Sequence, residues 1–155
     1  MNKKKILISI GIILIVVGII ILVLLFNKDK EELIIDKDVL LSNIKKEGYE
    51  EAEDNVYVLK SENDGIMSAY ILDFNKSTYQ FYYNNKEFNA ISEYNYLYNK
   101  SSYVFIRNND RGTIHYDHKS KEIDCESNII NWCEDNKKDF LDKYSIYEEF
   151  VKLTK

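Results

Sequence analysis

From Ile6 to Phe26 no position carries a charge, and only Ser9, Gly11 and Gly18 interrupt a run of Ile, Leu, Val and Phe. Twenty-one residues at ~1.5 Å rise each reach about 31 Å, the hydrocarbon thickness of a bilayer. A helix that is apolar on every side has no surface on a soluble domain to pack against. The pattern predicts a transmembrane helix over 6–26. Its apolar core is longer than that of a cleaved signal peptide, and Leu24-Leu25-Phe26-Asn27-Lys28 offers no small-x-small cleavage site. An uncleaved signal-anchor is expected. Gly11 and Gly18 are seven apart, whereas close helix pairing uses small residues four apart, so the span is read as a lipid-facing anchor.

Beyond the span the pattern changes twice. Residues 27–35 form a short charged linker. Asp36 is placed to cap a helix running through Glu47, with Leu40, Leu41 and Ile44 on one side, Lys45 and Lys46 in the last turn, and Gly48 as the stop. From Asn55 to Asp124 the period becomes two, predicting strands near 55–60, 67–74, 78–83, 93–98, 102–107, 112–117 and 121–124. The breaks between them, such as Asn63-Asp64-Gly65, Asn75-Lys76-Ser77 and Asn99-Lys100-Ser101, are short enough for hairpins and too short for parallel crossovers. The longest gap, Asn84 to Ser92, reads as a loop or a turn of helix. No internal repeat is visible.

A last helical region begins near Ser127, where Ile129, Cys133, Phe140, Tyr144, Tyr147 and Val151 form one stripe with a polar gap at Asn136 and Lys137. A break near Asn136 or Ser145 is expected. The fold class is therefore α+β: a single N-terminal transmembrane helix, then a small domain over 36–155. That domain is an antiparallel β-meander flanked by one N-terminal and one C-terminal helical segment.

Charge sets the orientation. Lys3, Lys4 and Lys5, in the tail of residues 1–5, precede the span and are expected to stay in the cytoplasm, leaving the remainder of the chain extracytoplasmic. All 26 acidic residues follow the span, against 18 of the 21 basic ones, a net charge of −8. Such a domain repels phosphate backbones, so nucleic acid is not an expected partner. The expected contacts are the lipid bilayer through Ile6–Phe26 and another membrane or envelope protein.

The chemistry of the tail lies in its aromatics. Tyr79, Phe81 and Tyr83 alternate on one predicted strand, Tyr94, Tyr96 and Tyr98 on the next, and Tyr103 and Phe105 on the one after. Two readings stand: core packing beneath the helices, or a platform for sugar rings or a partner's apolar patch. If a platform exists, Tyr94, Tyr96 and Tyr98 are its first candidates, with Tyr79, Phe81 and Tyr83 beside them. Cys125 and Cys133, the only cysteines, are either a disulfide closing a nine-residue loop or a pair of buried thiols.

Other chemistry has weak support. His115 and His118 fall on opposite faces of a continuous strand, and His-x-x-His followed by Cys-x7-Cys matches no common zinc spacing, so no metal is expected. Asn108-Asn109-Asp110-Arg111-Gly112 reads as a hairpin turn, lacking the distal glutamate of a calcium loop. There is no Gly-x-Ser-x-Gly elbow, His-Glu-x-x-His or phosphate-cradling glycine loop. No cofactor and no catalytic residue is assigned, and the chain is not read as an enzyme. The expected role is a membrane-anchored domain that binds an envelope protein or cell-surface component. Alternatives are a tethered enzyme acting on envelope polymers, or an accessory subunit acting through its transmembrane helix.

Overall fold

The structure, a computed structural model, describes residues 35–155. The basic tail, the span over 6–26 and the linker up to residue 34 lie outside the described residues. Among the described residues no helix is long and apolar enough to cross a membrane.

The first helix, α1 (Lys37–Lys46), starts where the sequence places it. Asp36 Oδ1 accepts from the N–H groups of Asp38 and Val39 at 2.9 and 3.2 Å, satisfying two of the free donors of the first turn. At the other end Gly48 turns left-handed at φ +88, and the N–H groups of Gly48 and Tyr49 reach back to the carbonyls of Lys45 and Ile44. Leu40 and Ile44 are fully buried. Asn43 Nδ2 donates to the carbonyl of Leu153 at 2.9 Å, tying α1 to the far end of the chain.

Eight strands follow as one antiparallel sheet in simple chain order: β1 (Glu50–Glu53), β2 (Val56–Asn63), β3 (Ile66–Asp73), β4 (Thr78–Asn84), β5 (Asn89–Asn95), β6 (Lys100–Arg107), β7 (Asp110–Asp117) and β8 (Ile123–Ser127). The meander is as expected, but two strands differ. The expected list omits β1, whose Glu50-Glu51-Ala52-Glu53 has neither alternation nor strand-forming side chains. As an exposed edge strand it needs neither, and its carboxylates discourage further pairing. β5 was expected over 93–98 and instead begins at Asn89, so the loop of the long gap shrinks to residues 85–88 and Tyr96 and Tyr98 fall outside the strand.

The hairpins also carry a repeat that residue identities conceal. The left-handed residues Asn55, Ser77, Asn99 and Lys121 are spaced by 22 positions. With the same period, the N–H groups of Phe74, Tyr96 and His118 donate to the carbonyls of Asn55, Ser77 and Asn99, each at 3.0 Å. Asp73, Asn95 and Asp117 stand at the matching strand ends, where their side-chain oxygens accept N–H groups of their own loops. Aromatic positions recur with the same spacing, Tyr57 with Tyr79, Phe81 with Tyr103, Tyr83 with Phe105 and Tyr94 with Tyr116, but most other identities change, which is why the chain reads as non-repetitive.

The C-terminal region is several short helices and not one segment: α2 (Trp132–Lys137), α3 (Phe140–Lys143) and α4 (Tyr147–Leu153). The breaks come at residues 138–139, beside the polar gap at Asn136 and Lys137, and at 144–146, around Ser145, the two places where a break was expected. Interruption also ends the expected stripe, because Phe150 and not Val151 becomes the fully buried residue of α4.

Candidate functional site

Register places three parallel rows of side chains under the helices. Tyr57, Leu72, Tyr79, Tyr94, Ser101 and Tyr116 form the first, crossing the sheet strand by strand. The second runs Tyr70, Phe81, Ser92, Tyr103, Ile114 and Cys125, and the third Tyr83, Ala90, Phe105 and Gly112. The first row is closed over. Phe150 of α4 packs on Tyr79 and Tyr94 with ring centroids 5.7 and 5.3 Å away, and Tyr147 meets Tyr94 edge-on.

The other two rows are covered from the β8 side only. Gly112 leaves the room in which Trp132 lies, since a Cβ there would sit 2.6 Å from three ring atoms. Trp132 stacks on Phe105 and Tyr103, and Tyr144 stacks on Tyr103 at 4.2 Å. The Cys125–Cys133 disulfide, with Cα atoms 5.8 Å apart, holds α2 to β8 beside this stack. Tyr144 is held in turn by its hydroxyl, which donates to Asn136 Oδ1 at 2.6 Å.

Where that stack ends, a cleft of about 390 Å³ opens over the middle of the sheet. Its floor is Ala90 and Ser92, 8% and 6% exposed, small residues on the strand between two aromatic ones. Tyr70 and Phe81 stand on one side of it, Tyr103 and Tyr144 on the other, and Phe88 closes one end by packing, ring tilted, between Tyr83 and Phe105. Asp142, Lys143 and Glu149, from α3 and α4, reach the rim. Burial raises the hydroxyl pKa of Tyr70, with the Glu149 carboxylate adding to it, and burial beside Tyr144 pushes that of Tyr103 to about 12. Both phenols stay protonated at neutral pH and present apolar rings with a donor at one end.

The sequence-predicted aromatic set is thereby divided. Phe81 and Tyr83 line the cleft. Tyr79 and Tyr94 are core residues; Tyr94 is 1% exposed, and desolvation raises both hydroxyl pKa values. Tyr96 lies against Phe150, planes 4° apart, and Tyr98 stands in the β5–β6 loop, 67% exposed. Tyr94, Tyr96 and Tyr98 therefore share neither a strand nor a surface. Sequence reasoning missed Tyr70, Phe88, Tyr144 and the small floor residues; the alternation of Ala90, Ser92 and Tyr94 was the available signal.

Two further constellations bring polar side chains together. Ser101 Oγ and His118 Nε2 share a 2.8 Å hydrogen bond, as a nucleophile and its base do, but Ser101 is 1% exposed, with Ser145 Oγ 3.4 Å from its hydroxyl. On the opposite, uncovered face a polar depression of about 790 Å³ is lined by Glu93, Lys100, His115, Asp117 and Asp124. The N–H groups of Ser120 and Lys119, with Lys100 adding, hold Asp117 below the usual carboxylate range, opposite to what a general acid needs. His115 and His118 stand on different faces, both cysteine sulfurs are in the disulfide, and among the described residues no group of three or more His, Cys, Asp or Glu is arranged to hold a metal ion.

The chain matches no family model, no curated protein and no solved structure, so the cleft has to be interpreted from its own geometry.

Proposed function

We propose that the chain is a single-pass membrane protein, N-terminus cytoplasmic, whose extracytoplasmic domain binds an envelope protein or cell-surface component in the aromatic cleft over β5. The observation that carries this reading is the cleft itself. A sheet covered for packing alone fills its central strand, yet here Ala90 and Ser92 leave a concave, aromatic-walled space beside the stack of Trp132, Tyr103 and Tyr144. Three features support the location: the uncharged run over 6–26, the lysines before it, and a disulfide of the kind that persists in oxidising compartments. Tethering near the membrane raises the domain's effective concentration toward neighbouring envelope proteins.

Photo-cross-linking of the full chain in its native membrane tests this reading. A photoreactive residue at position 143, on the cleft rim, is expected to give a discrete adduct, and one at position 67, on the opposite face of the sheet, none. Equal labelling from both faces, or no adduct from the rim, would contradict it.

A further inference from the structure

The rim of the cleft is electrostatically lopsided. Lys143 Nζ is already engaged by Asp139 Oδ2 at 2.6 Å, whereas neither Asp142 nor Glu149 takes part in an ion pair among the described residues. Glu149 faces Tyr70, whose hydroxyl pKa its charge helps to raise. The cleft thus combines aromatic rings, whose faces attract positive charge, with two carboxylates that lack a compensating cation. An anionic group entering here would lose its water and meet two unpaired carboxylates beside a lysine already paired to Asp139, and the net charge of −8 beyond the predicted span steers cations toward the domain.

We propose that the cleft takes a basic side chain, arginine or lysine, presented by a protein partner. The side chain's methylenes lie over Ala90 and Ser92 between the rings of Phe81 and Tyr144, and its charged head meets Asp142 and Glu149 at the rim. Arginine suits both parts, since its planar guanidinium stacks on an aromatic face while donating to a carboxylate. The proposal rests on the cleft being the contact site, and it excludes a neutral glycan as the occupant. Sugar rings stack on aromatics as well and their hydroxyls can donate to carboxylates, but a neutral ring leaves both negative charges uncompensated.

The test uses the full chain in neutral detergent and a fluorescent pentapeptide, Gly-Gly-Arg-Gly-Gly, blocked at both ends, against its citrulline counterpart, with anisotropy as the readout. The arginine peptide is expected to bind at least about tenfold more tightly than the citrulline peptide. D142N combined with E149Q is expected to remove that difference while leaving the melting midpoint unchanged, because both side chains are exposed and unpaired. Equal binding of the two peptides, or an arginine peptide that does not bind, overturns the proposal. Saturable binding of a β-1,4-linked N-acetylglucosamine trimer without arginine binding overturns it while leaving the cleft as the contact site. Failure of every probe together with failure of the rim cross-link removes both readings.

Discussion

The ring of Tyr144 lies on that of Tyr103 at 4.2 Å with the planes 16° apart, and this contact is where the covered face of the sheet stops being filled. On one side of it the stack continues through Trp132 to Phe105; on the other, Ala90 and Ser92 leave the cleft. The width of the cleft therefore depends on what holds the stack in place.

Gly112 is one such support. Its backbone is not in the left-handed region, so the demand for glycine is purely steric, set by the indole above it. Gly112→Ala is expected to displace Trp132 and destabilise the domain by about 1–3 kcal/mol. Trp132 is the chain's only tryptophan, so a shifted emission spectrum at zero urea and an earlier urea midpoint would be read from one fluorophore.

The cleft and the misplacement of β5 have the same physical cause. Strand reading relies on large apolar residues pointing inward, and it succeeds for β3, β4, β6 and β7, where Leu72, Tyr79, Tyr103 and Ile114 do so. On β5 the inward positions are Ala90 and Ser92 while Ile91 points to the uncovered face, which inverts the pattern until Tyr94. β1 was illegible for a different reason, being a strand by pairing alone. The C-terminal stripe was legible as amphipathic, but the breaks at 138–139 and 144–146 reset its phase. Cleft residues such as Tyr70, Phe88 and Tyr144 meet only through tertiary packing, which no local period encodes.

Tyr94 and Tyr98 separate packing from surface. Tyr94→Ser is expected to cost about 3–5 kcal/mol, since it empties a site enclosed by Phe150 and Tyr147. Tyr98→Ser, in an exposed loop, is expected to change stability by less than about 0.5 kcal/mol. Urea unfolding of both variants checks the contrast, and a mild Tyr94→Ser would show that the first row is not core.

Reduction addresses the other support of the stack. In the chain-entropy view, a disulfide closing a nine-residue loop stabilises the fold by about 2.5 kcal/mol. Adding reductant to the full chain is expected to lower the melting midpoint, and the Cys125→Ser, Cys133→Ser double variant is expected to melt at the reduced value with or without reductant.

Acid acts through His118. Burial, with the charge of Lys121 adding and that of Asp117 opposing, lowers its pKa from 6.5 to about 4. The unfolded chain then binds the extra proton first, so this contribution is complete above pH ~6.5 and is lost as pH falls toward about 4. Discounted for a half-buried ring, the loss is on the order of 1–2 kcal/mol. His118→Gln is expected to flatten that interval in a plot of melting midpoint against pH, while the slope below pH 4 remains.

Ser92→Phe fills the space over β5 from its floor and so separates a space kept for a partner from a gap in packing. Photo-cross-linking from position 143 would be compared in the full chain with and without this change, in native membranes, beside the melting midpoint of each. The expected result is an adduct reduced at least about tenfold in a variant that still melts cooperatively. An undiminished adduct from a folded variant with its cleft filled would contradict it.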